Sequence, residues 1–289
     1  MKTRSISAIG VVLVGIIPAL FGGPVWALTF AAICMIAFIE FHGLASNISG
    51  RIPKVGLILI PCFAAIPFTN NEERLAMGLV ALAVFLPLMS ATRRKNLAGA
   101  TTDWSLSAAG TLYLGAAAFG AVALRQIDGA VSREWLTNLD SSLSLAWANH
   151  PRGLAWVITV ILCTWLADTL AYMAGSKIGR RKLSPVVSPN KTKEGFGAGM
   201  VAAAITGVVC FWGFGLTPHW LWGLLFGAII AWIGLYGDLA ESVLKRDAGV
   251  KDSSDLIPGH GGFLDRIDAL IFTFVAGWFL ALAFDCWLL

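Results

Sequence analysis

Long apolar stretches separated by short polar connections fill most of the chain. A helix rises about 1.5 Å per residue and a hydrocarbon core is roughly 30 Å thick, so one crossing needs about 20 mostly apolar residues. About nine stretches meet or approach that length. They lie near 6–22, 25–45, 55–69, 75–91, 104–124, 153–175, 198–215, 219–236 and 268–288. The third is short and carries Pro61 and Pro67, which neighbouring helices in a membrane bundle can accommodate. The first follows Lys2 and Arg4 as a secretory leader would, yet a second apolar run starts directly after Gly22-Gly23-Pro24 with no small-residue cleavage site between them. These two runs read as a helical hairpin. The pattern predicts an all-α, polytopic integral membrane protein.

Composition agrees, with 57% hydrophobic and only 13% charged residues, far from the balance of a soluble domain. The placement of charge adds an orientation. With the N-terminus inside, all of the 21 Lys and Arg residues except Arg74, Arg125, Arg133 and Arg152 fall on the cytoplasmic side, where basic residues of short loops are retained. Nine spans then put the C-terminus outside. The two most charged connections, 176–197 and 237–267, face the cytoplasm, where nucleoside triphosphates are found. A bacterial inner membrane is the expected location. Cys34, Cys62, Cys163, Cys210 and Cys286 all sit inside apolar runs without Cys-x-x-Cys spacing, so they suggest packing rather than a disulfide framework or a metal site. Trp26, Trp104, Trp220 and Trp287 lie near span ends, as aromatic belts do. The bilayer is the expected partner, nucleic acid is not, and a homodimer is left open.

Segment 176–197 reads SKIGRRKLSPVVSPNKTKEGFG, rich in Lys and Arg with Glu194 as its single acid. Basic side chains neutralise phosphate, hydroxyls such as Ser184, Ser188 and Thr192 donate hydrogen bonds to it, and glycines let backbone approach. A cytoplasmic loop also collects basic residues merely to set topology. Segment 237–268 reads GDLAESVLKRDAGVKDSSDLIPGHGGFLDRID, with more carboxylates than basic groups. Asp238, Ser242 and Lys245 recur at helical spacing and share a face. Asp265 and Asp268 do the same at the start of the last span. Pro258-Gly259-His260-Gly261-Gly262 between them reads as a loop that can expose amides before a helix N-terminus, a natural anion site. Carboxylates clustered beside such elements imply a bridging cation, and oxygen ligands favour magnesium. Asp168 lies within the apolar run VITVILCTWLADTLAYMAG, where an ionisable group is costly and marks function. Glu40, Asp103 and Asp285, near span ends, rank lower.

The block Ser242-x-x-Lys245-Arg246-x4-Lys251-Asp252-x-Ser254-x2-Ile257-Pro258-Gly259-His260-Gly261-Gly262-x-x-Asp265-Arg266-x-Asp268 resembles the defining pattern of the phosphatidate cytidylyltransferases, or CDP-diacylglycerol synthases. Asp168-Thr169-x-Ala171-Tyr172-x-x-Gly175 and Ser184-Pro185-x-x-Ser188-Pro189-x-Lys191-Thr192-x-Glu194-Gly195 are similar to two further blocks of that family. Asn190 departs from it, since many relatives carry a second lysine there. The resemblance is specific over about 164–268, and N-terminal to that it rests on hydropathy. It implies that residues 1–150 form an N-terminal transmembrane region of about five spans plus an outer loop, and that 151–289 form a catalytic region with cytoplasmic motif loops.

The implied reaction joins CTP to phosphatidate, with magnesium as cofactor and a second cation such as potassium as an option. Asp238 and Asp265 are the expected metal ligands. Asp168, Lys245, Arg246, Lys251 and Asp268 are the expected catalytic set. Ser184, Ser188, Lys191, Thr192, Lys193, Ser242, His260, Gly261, Gly262 and Arg266 are expected to hold substrate. Two alternatives compete with this reading. One is a related CTP-dependent enzyme acting on another lipid. The other is an ion-coupled transporter, which an intramembrane aspartate also suits; the chain lacks the corresponding halves of an inverted-repeat transporter.

Overall fold

The computed structural model describes residues 15–50, 52–144, 148–217, 219–256 and 261–288. Among them, seven helices are long and apolar enough to cross a membrane. In chain order they are α1 (Gly23–Ser49), α3 (Glu72–Ala91), α4 (Ala100–Arg125), α6 (Pro151–Ile178), α7 (Lys193–Phe214), α8 (Trp222–Asp247) and α9 (Leu264–Leu288). Two shorter helices join them, α2 (Gly56–Ala65) and α5 (Glu134–Leu143). The stretch expected at 6–22 lies mostly outside the described residues; 15–21 are helical and stop at Gly22, whose φ of 63° turns the chain into α1.

The stretch expected to span near 55–69 differs from that reading. It is an apolar helix over Gly56–Phe68 whose last turn, Ile66–Phe68, tightens to a 3-10 helix at Pro67. At about 1.5 Å per residue it covers roughly 20 Å, short of a hydrocarbon core. It still carries the chain along the bundle. Ser107 at the start of α4 donates to the Pro53 carbonyl just before α2 (2.8 Å), and Gly115 further along α4 lies against Phe63. Thus α2 runs alongside α4, towards the end where α3 begins.

The main core is shared by α1, α4, α6, α7, α8 and α9. Trp26 donates its indole N–H to the Ala121 carbonyl (2.8 Å) and meets Phe30 and Phe274 at its ring. At one end of the bundle, Trp156, Phe211, Phe226 and Phe284 pack edge-on and tilted against one another. The fully buried Arg125 closes the same end, donating to the carbonyls of Ala19 (2.8 Å) and His150 (2.9 Å) and to Asp140 (2.5 Å). Arg152 pairs with Asp285 there as well. Asp285 and the 125–152 connection therefore belong to the architecture of that end.

Helices α6 to α9 run alternately up and down, so the end of α6, the start of α7, the end of α8 and the start of α9 meet at the opposite end. Small residues let them approach. Gly227 of α8 sits against the Ala203 backbone of α7, with no room for a Cβ. Gly227→Val therefore forces the helices apart, and thermal unfolding of the detergent-solubilised protein should show a loss of about 1–3 kcal/mol.

Candidate active site

Between α6 and α7 the chain forms an antiparallel hairpin, β1 (Lys182–Ser184) with β2 (Ser188–Thr192). Its ends are pinned by its own sequence block. The Thr192 side chain caps α7 by accepting from the Gly195 N–H (3.1 Å), and the Glu194 carboxylate accepts from the amides of Arg180 (3.0 Å) and Arg181 (3.1 Å). Gly175, Gly179 and Gly195 crowd around Thr192 too closely for a Cβ at any of them. The Ser-Pro-x-x-Ser-Pro-x-Lys-Thr-x-Glu-Gly order thus builds a rigid platform that aims Lys191 at the helices. Arg246 of α8 extends that platform through hydrogen bonds to the carbonyls of Val187 (3.4 Å) and Val250 (3.0 Å).

A cavity of about 950 Å³ opens beneath the hairpin, walled by α6, α7, α8 and α9. Asp168, Asp238 and Asp268 line it from three different helices, together with Lys182, Lys191, Lys245, Arg266, Asn190 and Asp252. Lys191 pairs with Asp238 (2.5 Å). Asp268 feels the charges of Asp238, Asp168 and Lys191 together. Trp165, Phe196, Met200 and Leu235 add apolar surface to the same lining. One cavity is thus lined by basic, acidic and apolar side chains together.

A second polar network lies behind it. Lys245 bridges Glu241 (2.5 Å) and Asp265 (2.6 Å), and Glu241 is fully buried. This is no solvated surface pair. The other Asp265 oxygen accepts from the Ser253 amide (2.9 Å), the Ser253 hydroxyl (2.7 Å) and the Gly262 amide (2.8 Å). The Glu40 carboxylate accepts from the Ser254 hydroxyl (2.6 Å) and from the amides of Phe263 (3.0 Å) and Leu264 (2.7 Å).

The sequence-predicted residues separate accordingly. Asp168, Lys191, Thr192, Asp238, Lys245, Asp265, Arg266 and Asp268 line the cavity. Ser242 supports Asp238 from one turn away, hydroxyl to carboxylate, at 3.4 Å. Ser184, Ser188, Lys193, Arg246, Lys251, Gly261 and Gly262 are not part of its wall, and His260 lies outside the described residues. The expected anion site before α9 is filled by the chain itself, because Asp265 takes the Gly262 amide and Glu40 takes the next two. Among the described residues no group of three or more His, Cys, Asp or Glu is already arranged around a metal position. Sequence reasoning assigns Lys182 and Asp252 no site role and ranks Glu40 low, as a carboxylate near a span end. For Glu40 a signal existed, since it is a carboxylate inside the apolar run IAFIEFHGL.

Over residues 2–284 the chain matches the family described as "Cytidylyltransferase family". It belongs to that family. It is 31% identical to a phosphatidate cytidylyltransferase of Staphylococcus aureus over 284 residues, covering 94% of this chain and 96% of that one. A protein of the same name from Synechocystis sp. is 44% identical over 176 residues, 59% of each chain. The one from Bacillus subtilis is 39% identical over 133 residues, 46% of this chain and 49% of the relative. The two latter matches thus span only about half to three fifths of those relatives, whereas the first runs nearly end to end.

Proposed function

We propose that the chain is a phosphatidate cytidylyltransferase, joining CTP to phosphatidate to give CDP-diacylglycerol and pyrophosphate. The observation that carries this reading is the cavity lined by Lys191, Lys182 and Arg266, by Asp168, Asp238 and Asp268, and by apolar side chains such as Trp165 and Leu235. Nucleotide phosphates need the cations, and a lipid phosphate delivered from the bilayer needs the apolar approach. A phosphomonoester has a second pKa of about 6 and is largely dianionic at neutral pH, so the attacking oxygen requires no strong general base. Repulsion between the anions is the obstacle. A phosphatidate oxygen bonds to the α-phosphorus of CTP, the α–β bridging bond breaks, and the departing pyrophosphate carries the electron pair. Lys191, Lys182 and Arg266 offset the charge that gathers on the phosphates, and Lys191 also pairs with Asp238.

The donor chemistry fits magnesium. Asp168, Asp238 and Asp268 offer only oxygens, as hard cations prefer, and their negative charge exceeds what the one neighbouring lysine on Asp238 offsets. When bound there, magnesium supplies charge neutralisation and alignment of the displacement. Asp238 is the central ligand in this proposal, with Asp168 and Asp268 beside it and room for a second cation such as potassium. Asp265 joins them only by giving up Lys245, so its part is to order Lys245 and the following loop.

Orientation follows the charge distribution, with the cavity and both highly charged connections on the cytoplasmic side of a bacterial inner membrane and the Arg125–Asp140 end outside. The test pairs Lys191→Ala with Arg133→Ala in a CTP and phosphatidate assay. Lys191→Ala should lose about a hundredfold in activity, and Arg133→Ala, whose guanidinium rests over Trp212 at the far end, should stay near wild type. Equal losses would contradict the assignment.

A further inference from the structure

We infer that Glu40 is a positioning residue for this site, holding Ser253, Ser254 and the backbone that opens α9 so that Arg266 and Asp268 enter the cavity. The inference rests on the proposed function for what the site does, and on geometry for how it is held. Glu40 belongs to α1, more than two hundred residues before the residues it binds. It is only 7% exposed, and a buried carboxylate is retained only when hydrogen bonds or cations compensate its lost hydration.

The compensation comes from one place. Phe263 and Leu264 donate their amides to Glu40, the Ser254 hydroxyl donates at 2.6 Å, and the Ser253 hydroxyl lies 3.4 Å away. An anion at a helix N-terminus satisfies amides that have no partner within the helix and meets the positive end of its dipole. Gly262 shows how close the approach is. A Cβ there would stand 2.5 Å and 2.6 Å from the two Glu40 oxygens, so the loop must be glycine for the carboxylate to reach the backbone.

Glu40 itself is held rigidly. Its neighbours Phe38 and Phe41 are buried and fill the space left by Gly56 and Gly110. Two residues beyond Leu264 comes Arg266, and four beyond comes Asp268, both lining the cavity. Asp265, directly before Arg266, accepts from Ser253 and Gly262, so Glu40 and Asp265 both hold Ser253 and the turn into α9. The same contacts withhold the α9 amides from substrate phosphate, leaving phosphate binding to the side chains.

Two measurements on the purified full-length protein test this. Glu40→Gln keeps size but turns one acceptor into a donor facing an amide, and kcat at saturating CTP and phosphatidate should fall about tenfold or more. KM for CTP should change much less, and the melting temperature should stay within a few degrees. Glu40→Asp, which keeps the charge, should recover part of the rate. Hydrogen exchange should quicken in 253–264 and not in α6 or α7. A wild-type kcat with unchanged exchange in 253–264 overturns the inference. So does a loss of kcat that comes with faster exchange throughout and a matching drop in melting temperature, since that describes a general structural role. If wild-type protein makes no CDP-lipid, the functional proposal fails, and exchange in 253–264 still decides whether Glu40 holds the loop.

Discussion

Asp238→Asn should reduce cytidylyl transfer by about a thousandfold, the largest effect of any substitution with the fold left intact. Asparagine keeps the size of the side chain and an acceptor for the Ser242 hydroxyl. It removes the charge that Lys191 pairs with and that a hard cation requires. Metal-assisted charge neutralisation contributes several kcal/mol to a phosphoryl displacement, and each 1.36 kcal/mol is tenfold in rate. Asp268→Asn should follow the same course with a smaller loss, because Asp268 reaches Asp238 and Lys191 through space rather than by direct contact. Steady-state rates over a magnesium titration, beside thermal unfolding in detergent, check both. Near-wild-type turnover of Asp238→Asn at limiting magnesium would remove it from the site. Asp285→Asn is the control, since Asp285 lies at the other end of α9 with Arg152.

Lys245→Met should cost about 3–5 kcal/mol in stability and most of the activity with it. Removing one partner of a buried ionic network leaves the others charged and unpaired. Here Glu241 and Asp265 would face each other across the space that Lys245 fills. Asp265 would then lose the fixed geometry through which it holds Ser253 and Gly262. Chemical or thermal unfolding of the solubilised protein measures the first effect. Adding Glu241→Gln to Lys245→Met should return a substantial part of the stability by removing one stranded charge, and the double-variant cycle measures that coupling. Strict additivity would mean that Lys245 and Glu241 do not act together.

Hydropathy marked the long helices because lipid imposes about twenty apolar residues on any helix that crosses it. The same rule marks 55–69, where the apolar helix covers only Gly56–Phe68 and tightens at Pro67. The β-hairpin left no periodic trace. Its strands are three and five residues of Lys, Leu, Ser, Pro, Asn and Thr, and their shape comes from Thr192, Glu194 and the glycines packed around them. Asp168, Lys191, Asp238 and Asp268 were legible because charges are costly at a membrane edge and helical spacing shows which share a face. The Pro-Gly-His-Gly-Gly block correctly signalled a helix N-terminus. It could not reveal that the amides there are bound by Glu40, which is remote in sequence and close only after the bundle packs. Asp265 reads in the sequence as a metal ligand, and its hydrogen bonds to Ser253 and Gly262 left no trace there for the same reason.

The most direct measurement places the label within the nucleotide. Purified protein in detergent with magnesium and phosphatidate receives CTP labelled at either the α- or the γ-phosphorus, and lipid and aqueous products are separated. Cytidylyl transfer puts α-label in the lipid, as CDP-diacylglycerol, and γ-label in pyrophosphate. Lipid carrying γ-label would reveal a CTP-dependent lipid kinase, and α-label appearing only with an acceptor other than phosphatidate would contradict the substrate.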